Sequence, residues 1–259
     1  MILIILDSYG LNRRKYFALR DGKNMGKVAI RGAIFDLDGT LVHTTVDFRL
    51  MKRKLFDVLV EEGVPSYLLD EASTMSSSLA LVRHYIIRNG TTEDMERISG
   101  AVTRSMNMTE LEGVARTTAV EGAVRCLRSL QDDGISIGLL TRGSRAYTEA
   151  ALHHAGITVP FQAMVCRDDH PEEEAKPNGK ALKRIMALME VQPQDCILVG
   201  DHAMDMECAA SASVRFLGVL TGSFTRADWE RCRCRAMIDS VGELLRYLDE
   251  ENLYLPGRD

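Results

Sequence analysis

The chain has 259 residues, 46% hydrophobic and 27% charged, with a formal net charge of −5. That balance suits a globular protein with a sizeable core, and it gives no electrostatic basis for nucleic acid or an anionic membrane as partner. The longest apolar runs, such as 2–6 and 196–199, are too short to span a bilayer.

Residues 1–26 read as an N-terminal extension. Within it, ILIILDSYG (2–10) carries an apolar run and Asp7, but no second acid and no Gly-Thr step. MILIIL lacks a preceding basic segment and a small-residue cleavage site, so it makes a poor signal peptide and the expected location is the cytoplasm. Met25-Gly26-Lys27 is a natural start for the core. Residues 27–35 then form a strand that closes on Asp36, followed by Leu37-Asp38-Gly39-Thr40.

The next stretch differs in character. Residues 46–62 place Phe48, Met51, Leu55, Val58 and Leu59 at helical spacing, and Gly63 with Pro65 ends the pattern. A second helix is expected over 67–89, ended by Gly90. A third starts at Thr91-Thr92-Glu93-Asp94 and continues over 95–106. No strand pattern interrupts them, so 44–117 reads as a helical cap inserted into a core formed by 27–43 and 118–259. The cap's basic residues Arg49, Lys52, Arg53, Arg83, His84 and Arg88 read mainly as solvated faces, and its methionines as core filler.

Alternation then returns. Helices are expected over 120–133, 145–155, 179–189, 204–211 and 241–248, and strands over 135–140, 163–166, 195–200 and 214–220. Strands alternating with helices imply a Rossmann-like parallel sheet covered on both faces. The six cysteines, at 126, 166, 196, 208, 232 and 234, have no framework spacing. The close pair Cys232-Arg233-Cys234 lacks the usual metal-binding step.

Ligands of such sheets bind beyond the carboxyl ends of the strands. Four segments bring chemistry to that rim: Asp36 and Asp38, Thr141, Lys176, and Asp201 with Asp205. Close carboxylates need a cation between them, and hard oxygen donors suit Mg²⁺. A carboxylate such as Asp36 can then attack a phosphate ester. Asp38 can handle the proton, Lys176 offset phosphate charge and Thr141 donate a hydrogen bond.

Asp36-Leu-Asp38-Gly-Thr40, Thr141 after an apolar strand, Lys176-Pro177 and Gly200-Asp201-His-Ala-Met-Asp205 resemble, in order, the four motifs of the haloacid dehalogenase superfamily. Arg167-Asp168-Asp169 and GVLTGS (218–223) are further matches. The resemblance covers 27 to about 248, and the helices after the first motif resemble the phosphoglycolate phosphatase and β-phosphoglucomutase subfamily. It implies that Asp36 is the nucleophile and Asp38 the acid/base. Thr141, Arg142, Gly143 and Lys176 would bind the phosphate. Asp36, the carbonyl of Asp38 and Asp201 would hold Mg²⁺, with Asp205 supporting them. Departures are Thr141-Arg142-Gly143 in place of the commoner Thr/Ser-Asn-Asn or Thr-Arg-Asn, His43 where many relatives carry an acid, and RCRCRA (231–236) in place of a run of small residues. The implied activity is hydrolysis of a small-molecule phosphate monoester through an aspartyl-phosphate, by a monomer or homodimer. A phosphomutase and a non-catalytic binding protein of the same fold are the alternatives.

Overall fold

The computed structural model describes residues 29–253. The N-terminal extension and the first residues of the expected strand at 27–35 lie outside them. The strand β1 (Gly32–Phe35) is fully buried, and its side chains alternate between two cores. Ala33 and Phe35 join the apolar cluster on one face of the sheet, and Ile34 joins the cluster on the other.

Six parallel strands lie in the order β5 (Ala163–Val165), β4 (Ser136–Leu140), β1, β6 (Cys196–Gly200), β7 (Arg215–Val219) and β8 (Met237–Ile238). β1 is central, with Phe35 registered against Leu139 on one side and Val199 on the other. Leu127 and Leu130 of α4 (Ala123–Asp132), Ala151 of α5 (Arg145–His154) and Leu244 and Leu248 of α9 (Leu244–Glu250) pack on the Phe35 face. Leu182 and Ile185 of α6 (Gly179–Leu188) and Cys208 and Ala209 of α7 (Ala203–Ala212) pack on the Ile34 face. The chain leaves β1 toward β4, then crosses back to β6, so the strand order reverses beside β1, the place where open α/β sheets bind ligands beyond the carboxyl ends.

Between β1 and α4 lie α1 (Phe48–Glu61), α2 (Met75–Asn89) and α3 (Thr92–Gly113). α1 buries Met51, Leu55, Phe56 and Leu59, a stripe at helical spacing. Leu55, Phe56 and Leu59 meet Val82 and Ile86 of α2 and Ile98 of α3 in a separate small core. The expected helix at 67–89 starts only at Met75. Asp70 accepts from the Ala72 N–H, and Ser73 donates to the Asp70 carbonyl, so side-chain turns hold 70–73 out of the helix, and Thr74 caps its start. The third helix begins as expected, in a capping box of Thr91 and Asp94, but runs on to Gly113. The expected helix at 120–133 begins at Ala123, because Gly122 adopts φ +81.

Among the short elements not expected from the sequence are β8, α8 (Arg226–Arg231), and the antiparallel pair β2 (Val42–His43) and β3 (Thr118–Ala119). The pair joins the two ends of the inserted segment. Val120 N–H donates to Leu41 O at 2.9 Å, and Thr45 Oγ1 donates to Gly113 O at 2.5 Å. All six cysteines are free thiols. Among the described residues, no helix is long and apolar enough to cross a membrane.

Candidate active site

Asp36 follows β1 directly, and its N–H donates to Val199 O at 2.9 Å, so the β1–β6 ladder fixes the backbone that carries it. Thr141 follows β4 and Asp201 follows β6. Asp205 sits in the first turn of α7, where its Oδ2 accepts from the His202 N–H at 3.2 Å. It is thus a helix-start acid, yet its other oxygen serves the site.

That second oxygen meets Lys176. The ammonium, 4% exposed, donates to Asp36 Oδ1 at 2.5 Å, Asp205 Oδ1 at 2.7 Å and Leu140 O at 3.0 Å. All three of its protons are used. Burial works against the charged ammonium, but Asp205 and Asp36 together outweigh it and raise the Lys176 pKa. The lysine is therefore a fixed positive charge.

Asp36, Asp201 and Asp205 have carboxylate oxygens within 4.8 Å of one another. One ammonium against three carboxylates leaves two negative charges uncompensated. Burial raises the Asp36 pKa well above its ordinary value against the pull of Lys176, and the acids at 205, 201 and 38 push the same way. Burial, then Asp205, raises Asp201. A buried surplus of two negative charges on hard oxygen atoms fits a divalent cation such as Mg²⁺.

Two glycines make the close approach possible. Gly39 has φ +79, and a Cβ there would come within 2.7 Å of both Asp201 Oδ2 and Gly222 Cα. A Cβ on Gly222 would collide with the Asp201 carboxylate. The loop after β7 can therefore fold over Asp201, where Ser223 N–H donates to its Oδ2 at 2.6 Å and Thr221 Oγ1 donates to Gly39 O at 2.6 Å.

Asp38 stands apart from the carboxylate cluster. Its Oδ1 accepts from the Tyr147 hydroxyl at 2.5 Å. Burial pushes its pKa up to about 6, although Tyr147 and Thr44 favour the ionised form. Thr141, Arg142 and Gly143 form one turn. Gly143 N–H donates to Thr141 Oγ1 at 3.0 Å. The Arg142 guanidinium is committed elsewhere: it donates to Lys176 O at 2.7 Å and pairs with Glu172 at 2.5 Å, so it braces the loop that delivers the lysine.

The cap's basic residues are dispersed. Arg49, Arg53, His84 and Arg88 are exposed, and Lys52 donates to the carbonyls of Glu71 and Ser73. Met51 and Met106 are core residues, whereas Met108 is 66% exposed.

Sequence reasoning singles out Arg167, within Arg167-Asp168-Asp169, but misses its partners at the join of insert and core. Glu110 of α3 accepts from Ser144 Oγ at 2.7 Å and pairs with both Arg167 nitrogens, Nη1 at 2.5 Å and Nη2 at 2.9 Å. Arg167 also donates to Asn107 Oδ1 at 2.6 Å and Arg142 O at 3.1 Å. Tyr147 and Thr44 were equally silent. A buried Glu in an amphipathic helix was the one available signal, since such a residue needs a partner.

The sequence profile of the haloacid dehalogenase-like hydrolases matches residues 33–219. A phosphoglycolate phosphatase of Cereibacter sphaeroides is 30% identical over 222 residues, which are 84% of this chain and 98% of that protein. A solved structure described as a predicted phosphoglycolate phosphatase of Haemophilus somnus superposes with TM-score 0.60 at 19% identity, over 86% of this chain and 99% of that one. A β-phosphoglucomutase of Clostridium difficile superposes with TM-score 0.61 at 19% identity, over 86% and 97%. The two structures establish likeness of fold alone. The profile, spanning most of the chain, and the curated relative together establish that this chain belongs to the haloacid dehalogenase-like hydrolase family.

Proposed function

We propose that the chain is a Mg²⁺-dependent phosphatase of small phosphate monoesters, phosphoglycolate foremost. Residues 27–43 and 118–259 would be its catalytic core and 44–117 its cap. The observation that carries this reading is the separation of two carboxylates on one strand end. Asp36 lies against Lys176 in the charged cluster, while Asp38 lies outside it on Tyr147.

Asp36, the Asp38 carbonyl and Asp201 would hold Mg²⁺, with Asp205 in support. Bound there, the ion supplies positive charge for the phosphoryl oxygens and keeps the acids ionised. Asp36 attacks phosphorus and forms the aspartyl-phosphate as the ester P–O bond breaks. Asp38 gives its proton to the departing oxygen, then takes one from the water that hydrolyses the intermediate. Lys176 holds the nucleophile, and Thr141, with its hydroxyl proton free to donate, binds a phosphoryl oxygen. The cap excludes bulk water during the reaction.

Phosphate release from a panel of small esters, with and without Mg²⁺, tests the reading. Asp36→Asn should lose about 10⁴-fold or more of kcat, the scale of removing a nucleophile. Release that survives in Asp36→Asn, with contaminating phosphatase and deamidation excluded, would overturn the assignment. The likeness to β-phosphoglucomutase is one of fold, so hydrolysis is the reading carried forward. Isomerisation of a sugar phosphate in the same assay would reverse that choice.

A further inference from the structure

We infer that Tyr147 is a positioning residue for Asp38, and that Thr44, where the chain enters the helical insert, holds Tyr147 in that role. The inference rests on the phosphatase reading given above.

Tyr147 lies in the first turn of α5, and its side chain is 1% exposed. A buried tyrosine needs a partner for its hydroxyl, so a single hydrogen bond there would be ordinary packing. Two features go beyond that. The hydroxyl's partners are Asp38 Oδ1 at 2.5 Å, on the acid assigned to proton transfer, and Thr44 Oγ1 at 2.8 Å. The phenol is also fixed along its whole length. Its backbone N–H donates to Ser144 Oγ at 3.3 Å, and Ser144 in turn donates to Glu110 of the insert. Its ring lies so close to Gly143 that a Cβ there would come within 2.8 Å of Cδ1. Gly143 in the phosphate-binding turn therefore makes room for the tyrosine ring.

The consequence is chemical. Tyr147 donates to Oδ1, so the proton that Asp38 delivers is carried on Oδ2. As Asp36 bonds to phosphorus and the ester P–O bond breaks, that proton passes from Oδ2 to the leaving oxygen. The Tyr147 proton stays on Tyr147 throughout. Removing the hydroxyl leaves Asp38 with the Thr44 hydroxyl as its remaining side-chain partner, so the proton is less firmly assigned to one oxygen. An alkoxide leaving group needs that proton as it departs. A nitrophenolate leaving group departs without it.

The test compares Tyr147→Phe and Thr44→Val with wild type, in Mg²⁺, on 2-phosphoglycolate and p-nitrophenyl phosphate. The readout is kcat/KM, which reports the steps through leaving-group departure and is blind to later hydrolysis. Tyr147→Phe should lose on the order of tenfold or more on the alkyl ester, a share of what a positioned acid contributes, and under about threefold on the aryl ester. Asp38→Ala should give the same contrast, enlarged. Thr44→Val should give it in smaller form, and it carries the test should Tyr147→Phe melt early. Equal losses on both esters, or none on either, would overturn the role of Tyr147. A wild type that hydrolyses neither ester would instead sink the phosphatase reading, and this inference with it.

Discussion

The sheet rim and the helical insert solve different problems with the same kinds of residue. On the rim, β1 and β6 are buried at every position, and Lys176 is held by two carboxylates and a carbonyl. On the insert, α2 buries only Ser78, Val82 and Ile86. Phe48, Val60, Tyr67, Leu81, Ile87, Met108 and Leu111 all stand exposed there, against Leu188 alone on the core, among the described residues. The difference follows from load. On the proposed reading, the nucleophile has to be held to a fraction of an ångström, whereas a cap has to move and meet a substrate of variable shape. The two ion pairs that tie insert to core repeat the contrast. Glu110 and Arg167 are 4% and 12% exposed, while Arg83 and Glu173 are 49% and 51% exposed.

Substitutions at three positions sharpen or break this contrast. The largest effect is expected at Lys176. Lys176→Met leaves Asp36 and Asp205 without their counterion, and kcat should fall by about 10²–10³-fold, the scale of losing one electrostatic stabiliser. A loss under tenfold in steady-state phosphate release would mean that the rim tolerates rearrangement as freely as the insert. Next is Glu110→Ala, which removes the carboxylate from the buried Arg167 guanidinium and leaves it only the Asn107 and Arg142 oxygens. Urea unfolding should register a loss approaching about 3 kcal/mol, as for a broken buried pair. Glu110→Gln should recover part of it by keeping the bond to Ser144. The smallest effect is expected from Arg83→Ala, at about 0–1 kcal/mol and fading further in salt. A large, salt-independent loss there would erase the distinction between the two bridges.

Much of the rim was legible in the sequence because three of its groups are local to a strand end. Asp36, Thr141 and Asp201 each follow an apolar run directly, and alternating strands and helices imply that such ends converge. The additional strands were invisible for an equally plain reason. β2, β3 and β8 have two residues each, shorter than any period a pattern can register. α8 was hidden too, though Trp229 on it is fully buried, its indole N–H donating to Val219 O at 3.2 Å. Arg142 read as a phosphate ligand by its place in the motif, and only the fold reveals that Glu172 and the Lys176 carbonyl occupy its guanidinium. Tyr147 and Asp38 are 109 residues apart and Glu110 and Ser144 are 34 apart. Contacts at such separation leave no mark in one chain's periodicity.

The ribbon of β2 and β3 has a consequence for how this protein can change. Val42 pairs with Ala119 and His43 with Thr118, so the polypeptide leaves and returns through a single doorway two residues wide. From the side of the sheet, everything between is a loop whose ends are already joined, and closure entropy grows only slowly with loop length. Segments of other sizes and shapes can therefore be spliced in at that doorway while the strands beneath keep their register. The same hydrolytic machinery can be fitted with a different insert without being rebuilt.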